Sequence, residues 1–106
     1  MKGADERVLV ALAEPTRRQL LERLGRGDAS SATALARGAP VTRQAVLKHL
    51  GVLEDAGLVR ASRQGREVLY RVRPEPLVSA AAWLTGLAAA WDTRLADLKR
   101  RAERPH

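Results

Sequence analysis

The strongest constraint on the fold is one amphipathic segment whose two ends are both marked in the sequence. Plotted at about 100° per residue, residues 43–56 place mostly apolar side chains in one arc and mostly polar side chains in the opposite arc. Thr42 precedes the segment as a good N-cap, and Val41 and Val46 have the spacing of a hydrophobic staple. Gly57 follows it, where helices commonly end in a left-handed residue. The pattern predicts one helix that packs on a core by one face and exposes the other.

The polar face of this predicted helix carries long hydrogen-bond donors near its start. Arg43, Gln44 and Lys48 project from one side, and the forked Arg and Gln side chains suit guanine and adenine edges in the DNA major groove. Recognition helices also present their N-terminal residues to the bases. Leu47 lies on the same face, either to touch a thymine methyl group or as an exposed leucine. From this segment alone, the alternative is a core helix whose polar face is solvated.

Composition limits the class of protein. The 106 residues are 45% hydrophobic and 29% charged, with a formal net charge of +7, which indicates one soluble, basic domain. Such a charge is expected of a nucleic-acid binder, although it also fits a membrane surface. No cysteine is present, which excludes disulfides and thiolate metal sites. The apolar run at residues 8–13 is too short for a signal peptide and no segment is of transmembrane length, so we expect a cytoplasmic protein with no membrane partner.

Three shorter helices are predicted before the amphipathic segment. Residues 5–13 form the first, and Pro15 ends it. Thr16 and Gln19 have the spacing of a capping box at the start of the second, which ends at Gly25. Its four arginines are expected to form a solvated basic face: Arg17, Arg18, Arg23 and Arg26.

The third predicted helix covers residues 32–37, with Ser30 or Ser31 as its N-cap. Ala34 and Leu35 are expected to point inward. A short helix, a tight turn at residues 38–40 and a longer amphipathic helix make the pattern of a helix-turn-helix.

After Gly57 the hydrophobic period changes to two, which predicts a β-hairpin over residues 59–73 with its turn at residues 63–66. Residues 60–73 carry five arginines and one glutamate, a local net charge of +4. We expect the side chains at the tip to contact phosphates or enter a narrow minor groove; these are Arg63, Gln64 and Arg66. The alternative is a charged edge that protects the hairpin from aggregation.

The last predicted helix, residues 77–103, carries an apolar stripe too long for one small domain to cover. We interpret it as a dimerisation helix, with the N-terminal helix packed across it. The residues expected at the dimer interface are Val8, Leu12, Leu77, Leu84, Leu87, Trp91, Leu95 and Leu98. The alternatives are a helix folded wholly onto its own domain and a membrane-surface helix. Trp83 and Trp91 either pack in the interface or line an effector pocket between protomers.

The sequence AVLKHLGVLEDAGLV at residues 45–59, followed by GREVLYRV, resembles the ArsR family of dimeric winged-helix repressors. The resemblance covers essentially the whole chain, including ALAEPTRRQLLERL at residues 11–24. It implies a mainly α (α+β) fold: a winged helix-turn-helix with a two-stranded β-hairpin wing and a long C-terminal dimerisation helix. The single domain would comprise a DNA-binding core at residues 5–73, with the wing at 59–73, and the dimerisation helix at 77–103.

The resemblance also implies a homodimer on double-stranded DNA, at an inverted-repeat operator with half-sites about 34 Å apart. Repression by blocking promoter access, often of the protein's own gene, would follow. By position, the residues that match the family's DNA-reading residues are Thr42, Arg43, Gln44 and Lys48, and those that match the wing tip are Arg63 and Arg66. The tryptophan-bearing last helix is similar to the branch without metal sites.

No metal ligand set, cofactor site or catalytic group is expected. Asp92 and Asp97 have no histidine within a turn, and Glu103 with His106 is a weak pair at the chain end. His49 is expected to pack and to hydrogen-bond with backbone. No nucleophile–base pair or phosphate-cradling loop is present, so an enzyme is not expected.

Two residues on the recognition face depart from the family pattern. Leu47 and Gly51 occupy positions where polar contacts are usual. The alternative function is therefore a non-specific, chromatin-like DNA-binding protein, and a third is a winged helix used as a protein-interaction adaptor. The sequence leaves open whether a small-molecule effector exists.

Overall fold

The computed structural model describes residues 3–104, which form five helices and one antiparallel sheet. In chain order the elements are α1 (Gly3–Leu12), α2 (Pro15–Gly25), β1 (Ser30–Ser31), α3 (Ala32–Arg37), α4 (Arg43–Asp55), β2 (Val59–Gln64), β3 (Glu67–Val72) and α5 (Glu75–Glu103). The predicted mainly α winged helix-turn-helix is confirmed: α3 and α4 form the helix-turn-helix, and β2 and β3 form the hairpin beside it.

Leucine and valine side chains, most of them from α1, α2 and α4, make up the largest part of the core. Each such side chain contributes roughly 1.5–3 kcal/mol when it is fully buried. The largest fully buried ones are Val8, Leu20, Val46, Leu50, Leu53 and Leu58. The three from α4 lie on the face that the helical wheel predicted to be apolar.

Both ends of α4 are made as the sequence predicts. The Thr42 Oγ1 accepts a hydrogen bond from the Ala45 N–H at 3.1 Å. Gly57 has a φ of +77°, the left-handed conformation that an L side chain disfavours. The Leu58 N–H donates to the Leu53 carbonyl at 2.9 Å, which completes a Schellman motif. These local bonds fix where the helix starts and stops.

The start of α2 differs from the prediction. Glu14, and not Thr16, is the N-cap, because its carboxylate accepts the Arg17 N–H at 3.1 Å. Pro15 is the first helical residue instead of a breaker between helices. Proline has no N–H to lose at that position, and its fixed φ already suits a helix.

In α3, Ala32 and Leu35 are buried, whereas Ala34, which was expected to point inward, is exposed. Ser31 is the N-cap, and its Oγ accepts the Ala34 N–H at 3.1 Å. The face of α3 that contacts the core therefore runs through residues 32 and 35, which lie three residues apart.

The hairpin has a two-residue loop, because Gln64 pairs with Glu67 across it. Gly65 has a φ of +65°, as the tight turn requires. A third strand was not predicted: Ser30 and Ser31 pair with β3, opposite Tyr70 and Leu69. A two-residue strand is too short to show a period of two. It joins the start of the helix-turn-helix directly to the wing.

Only the first part of α5 packs on its own protomer. Ala80 is buried, and the Ser79 hydroxyl donates to the buried Asp5 carboxylate of α1 at 2.9 Å. Beyond Trp83 the helix projects away, and the molecule measures 74 × 25 × 22 Å. A helix folded wholly onto its own domain is therefore excluded. Across residues 3–104, no helix is both long enough and apolar enough to span a membrane.

Candidate nucleic-acid interface

The exposed face of α4 presents the predicted donors at its N-terminal end. Arg43, Gln44 and Lys48 are all exposed. Helix geometry puts positions 44 and 48 one turn apart on the same side. Thr42 is also exposed, and its hydroxyl oxygen is engaged in capping the helix.

Arg43 is held by a residue that the sequence did not single out. Its Nε–H donates to the Thr33 Oγ1 at 3.0 Å, which connects the first residue of α4 to α3. No sequence pattern indicates this contact, because the two residues lie in different helices and both side chains are exposed.

Leu47 lies between the polar face and the core. It is half-buried and packs against the core cluster, so it is not the freely exposed leucine that was one expectation. It lines a groove between α4 and the wing together with Thr33, Arg43, Arg66 and Tyr70. The contact of Leu47 with the core explains why this position is apolar.

A Cβ added to Gly51 would meet no atom within 4 Å, so the chain's own packing does not require glycine there.

The wing tip is exposed and basic. Arg63, Gln64 and Arg66 are all exposed, and the Arg63 Nε–H makes one long hydrogen bond to the Gly65 carbonyl at 3.4 Å. Further from the tip, Arg60 pairs directly with Arg71 across the strands. Like charges in that position repel one another. The groove that Arg43 and Arg66 both line brings the start of the recognition helix next to the wing tip.

Of the four arginines that were expected to form a solvated basic face, Arg18 and Arg26 are exposed, whereas Arg17 and Arg23 are half-buried. Arg17 donates to the Ala11 and Val10 carbonyls at 2.6 and 3.3 Å, and Arg18 donates to the Leu12 carbonyl at 2.6 Å. The last carbonyls of α1 have no partner within the helix, and cations stabilise that negative end. These two arginines therefore tie α1 to α2.

Arg23 contacts α3 and not α1. Its Nη1 donates to the Leu35 carbonyl in α3 at 2.5 Å, and its guanidinium lies directly against Gly38. Arg26 matches the expectation most fully, since it is exposed and makes only an exposed ion pair with Glu22 at 3.8 Å. Two arginines a few residues after the end of α1 were the signal that could have indicated the contacts with its last carbonyls.

His49 makes side-chain contacts instead of the expected backbone hydrogen bond. Its Nδ1 lies 3.7 Å from a Glu14 carboxylate oxygen and 3.5 Å from the Arg17 Nη1. Partial desolvation raises the pKa of the Glu14 carboxyl, but the backbone N–H groups of Thr16 and Arg17 and the nearby His49 together lower it below 4.5. A recognition-helix side chain thus meets the N-cap of α2.

The predicted dimer residues fall into three groups. Five on α5 are exposed, between 42% and 58%: Leu84, Leu87, Trp91, Leu95 and Leu98. Leu12 and Leu77 are half-buried against their own core. Val8 is only 1% exposed, so its assignment to the dimer interface is wrong: it belongs to the core of the protomer. Its neighbour Val10, which is 60% exposed, is the valine of α1 that faces solvent.

Within residues 3–104, no three His, Asp or Glu side chains come close enough together to hold a metal ion. The Glu103–His106 pair considered from the sequence involves His106, which lies outside the described residues.

Comparison with known proteins finds helix-turn-helix transcriptional regulators. A family model described as a helix-turn-helix domain matches residues 12–61. An ArsR-like transcriptional regulator from Rhodococcus sp. RHA1 is 41% identical, with a TM-score of 0.85 over 96% of this chain and 95% of that one. An HTH-type transcriptional regulator of Mycobacterium tuberculosis is 40% identical, over 85% of this chain and 80% of the relative.

A homodimeric winged helix-turn-helix DNA-binding domain from Mycobacterium bovis, a possible ArsR-family regulator, is 29% identical to the chain. Its TM-score is 0.65 over 81% of this chain and 79% of that one. A helix-turn-helix with a basic wing and an exposed, donor-rich second helix defines a winged helix-turn-helix DNA-binding protein. The chain belongs to the ArsR family of transcriptional regulators.

Proposed function

We propose that the protein is a sequence-specific, homodimeric transcriptional repressor that acts on its own promoter without a metal ion. One observation carries the proposal: Arg43, Gln44 and Lys48 are exposed at the start of α4, and Arg43 lines one groove together with Arg66 of the wing tip. Helix α4 enters the major groove, where Arg and Gln read base edges. The wing, through Arg63, Gln64 and Arg66, contacts the backbone or the minor groove.

The apolar stripe of α5 supports the homodimer. One protomer leaves five large side chains of the stripe exposed from Leu84 to Leu98, and a second copy of the same helix presents a matching surface. The homodimeric structural relative from Mycobacterium bovis has a similar fold. Two-fold symmetry places the two recognition helices on an inverted repeat, with half-sites about 34 Å apart.

The chemistry of the side chains favours a repressor that does not respond to metals. The 106 residues contain no cysteine, so soft metals lack their preferred ligand. In α5, Asp97 is engaged in ion pairs, with Arg100 at 3.6 Å and with Arg101 at 3.2 Å. We assign no effector to the protein.

The test is a mobility-shift titration on DNA from the protein's own upstream region and on a random fragment of equal length. The expected result is tighter binding to the upstream fragment at every salt concentration. Equal affinity for both fragments, with a steep loss as salt rises, would instead favour the chromatin-like binder. That alternative is motivated by the net charge of +7 and by Gly51 on the recognition face. Undetectable binding at low salt would favour the protein-interaction adaptor.

A further inference from the structure

The contact between Arg43 and Thr33 is the one bond that restrains a donor of the recognition face. The Arg43 Nε–H donates to the Thr33 Oγ1 at 3.0 Å. In the described part of the chain, Gln44 and Lys48 make no comparable side-chain hydrogen bond. Arg43 is therefore the recognition residue whose direction the protein itself sets.

Thr33 is a firm support for this bond, because both ends of α3 are held. At the start, Ser31 caps the helix and pairs with Leu69 of the wing. Near the end, the Leu35 carbonyl accepts a hydrogen bond from Arg23 of α2. Threonine itself is β-branched and has few side-chain rotamers available in a helix.

The bond also determines which edge of the guanidinium stays free. Arginine has five N–H donors in a planar fork. With Nε engaged, the two terminal nitrogens, Nη1 and Nη2, form the remaining bidentate edge. None of the ion pairs in the described chain involves Arg43, so no carboxylate holds this edge. Two parallel N–H groups match the O6 and N7 acceptors of guanine.

Restraining the Arg43 side chain before DNA binds favours discrimination between bases. A free arginine loses much rotamer freedom when it docks, and a pre-oriented one loses less. A mobile guanidinium also reaches a phosphate as easily as a base, whereas a fixed one has a single direction of approach.

We propose that Thr33 is a positioning residue that makes Arg43 a reader of one guanine through its Nη1–Nη2 edge. Thr33 itself contacts no base. The inference rests on the proposed DNA-binding function and deepens it by assigning a base class to one residue of α4.

The test measures base preference with the full chain. Affinities are compared on the operator fragment, on fragments with each base pair of both half-sites exchanged symmetrically, and on random DNA. The proteins are wild type, Arg43→Ala, Thr33→Val, Thr33→Ser and the double variant Arg43→Ala/Thr33→Val. Thr33→Val keeps the shape and removes the hydroxyl, and Thr33→Ser keeps the hydroxyl.

Wild type is expected to prefer guanine at one position on the order of tenfold, and Arg43→Ala to lose that preference. Thr33→Val should reduce the preference at the same position at least threefold and leave random-DNA affinity unchanged, while Thr33→Ser retains it. The double variant should match Arg43→Ala. An unchanged preference in Thr33→Val, an equal loss on all DNA, or an effect that persists without Arg43 would overturn the proposal.

A second measurement uses no DNA. The ¹⁵N relaxation of the Arg43 Nε–H should report a restrained group in wild type and Thr33→Ser, and a mobile one in Thr33→Val. Equal mobility in all three would overturn the positioning role even if the operator is bound. If wild type has no base preference while Arg43 Nε is restrained, the proposed function fails, and the contact has only a structural role.

Discussion

Gly38, in the turn between α3 and α4, lies directly against the guanidinium of Arg23. A Cβ at this position would lie 2.6 Å from Nη2 and 2.9 Å from Cζ of Arg23. Its φ of −98° is ordinary for any residue, so the constraint is the close approach of the guanidinium and not the backbone. The same guanidinium holds the Leu35 carbonyl, which belongs to the helix that supports α4.

We therefore expect Gly38→Ala to displace Arg23 and to lower the free energy of unfolding by about 1.5 kcal/mol, the low end of the contribution of one hydrogen bond from a charged donor. Urea unfolding measures the change. Gly27→Ala is the control, because a Cβ there meets nothing within 4 Å. In an Arg23→Ala background, Gly38→Ala should no longer lower the free energy of unfolding. If it still does, the alanine itself, and not the lost arginine hydrogen bond, is responsible.

Lys48 is expected to act through its charge. It is exposed on α4, so Lys48→Ala should weaken operator binding, flatten its salt dependence by about one released counterion and leave the melting temperature unchanged. Lys99→Ala removes the same charge from the exposed surface of α5 and serves as the matched control. Operator affinities of both variants and of wild type, measured across a salt series, test this role of Lys48. A large fall in melting temperature, or equal loss in the control, would contradict the role.

The junction of α1, α2 and α4 is held by polar groups. Arg17 bonds the end of α1, Glu14 caps α2, and His49 of α4 lies against both. The recognition helix is therefore positioned by contacts as well as by its apolar face.

This junction predicts a pH dependence. The pKa of Glu14 is lowered in the folded protein, so the charged carboxylate stabilises the fold above its unfolded value of about 4.5. That contribution is lost as the pH falls through the lower folded value. Wild type should exceed Glu14→Gln in stability near neutral pH, and the difference should shrink below about pH 4.5. Urea titrations across this range measure it; a constant difference would contradict the assignment.

The elements with local signals were predictable, and those made by distant contacts were not. Thr42 and Gly57 mark α4 by bonds within a few residues of themselves, so its bounds could be predicted from the sequence. Strand β1 exists only because β3, almost forty residues later, pairs with it. Thr33, which restrains Arg43, and Arg23, which reaches Leu35, leave no periodic pattern for the same reason.

The exposed apolar stripe of α5 determines how the whole molecule assembles in the proposed homodimer. The sequence shows the apolar stripe of α5 but does not show what covers it. Val8 illustrates why: an apolar residue of α1 has the same sequence pattern whether it packs in the core of its own protomer or against a second chain. The structure buries Val8 and leaves the five α5 residues exposed.

A double substitution, Leu84→Asp with Trp91→Asp, should give monomers that keep a folded core, since both side chains are 45–51% exposed in the protomer. Two charges in an apolar contact would each be buried without a partner. Thr93→Asp, on the opposite side of the same helix and exposed, should leave the dimer intact. Sedimentation measures the mass. An unchanged dimer in the double variant would exclude the stripe as the interface.

We propose that this chain is a dimeric repressor that reads its own promoter without a metal. Nuclease footprinting of the purified protein on that promoter, with and without a panel of divalent metals, is the experiment that tests this function. We expect one discrete, two-fold symmetric protected site that no metal disturbs. Protection that a metal abolishes would contradict metal independence, and the absence of any discrete site would contradict sequence-specific repression.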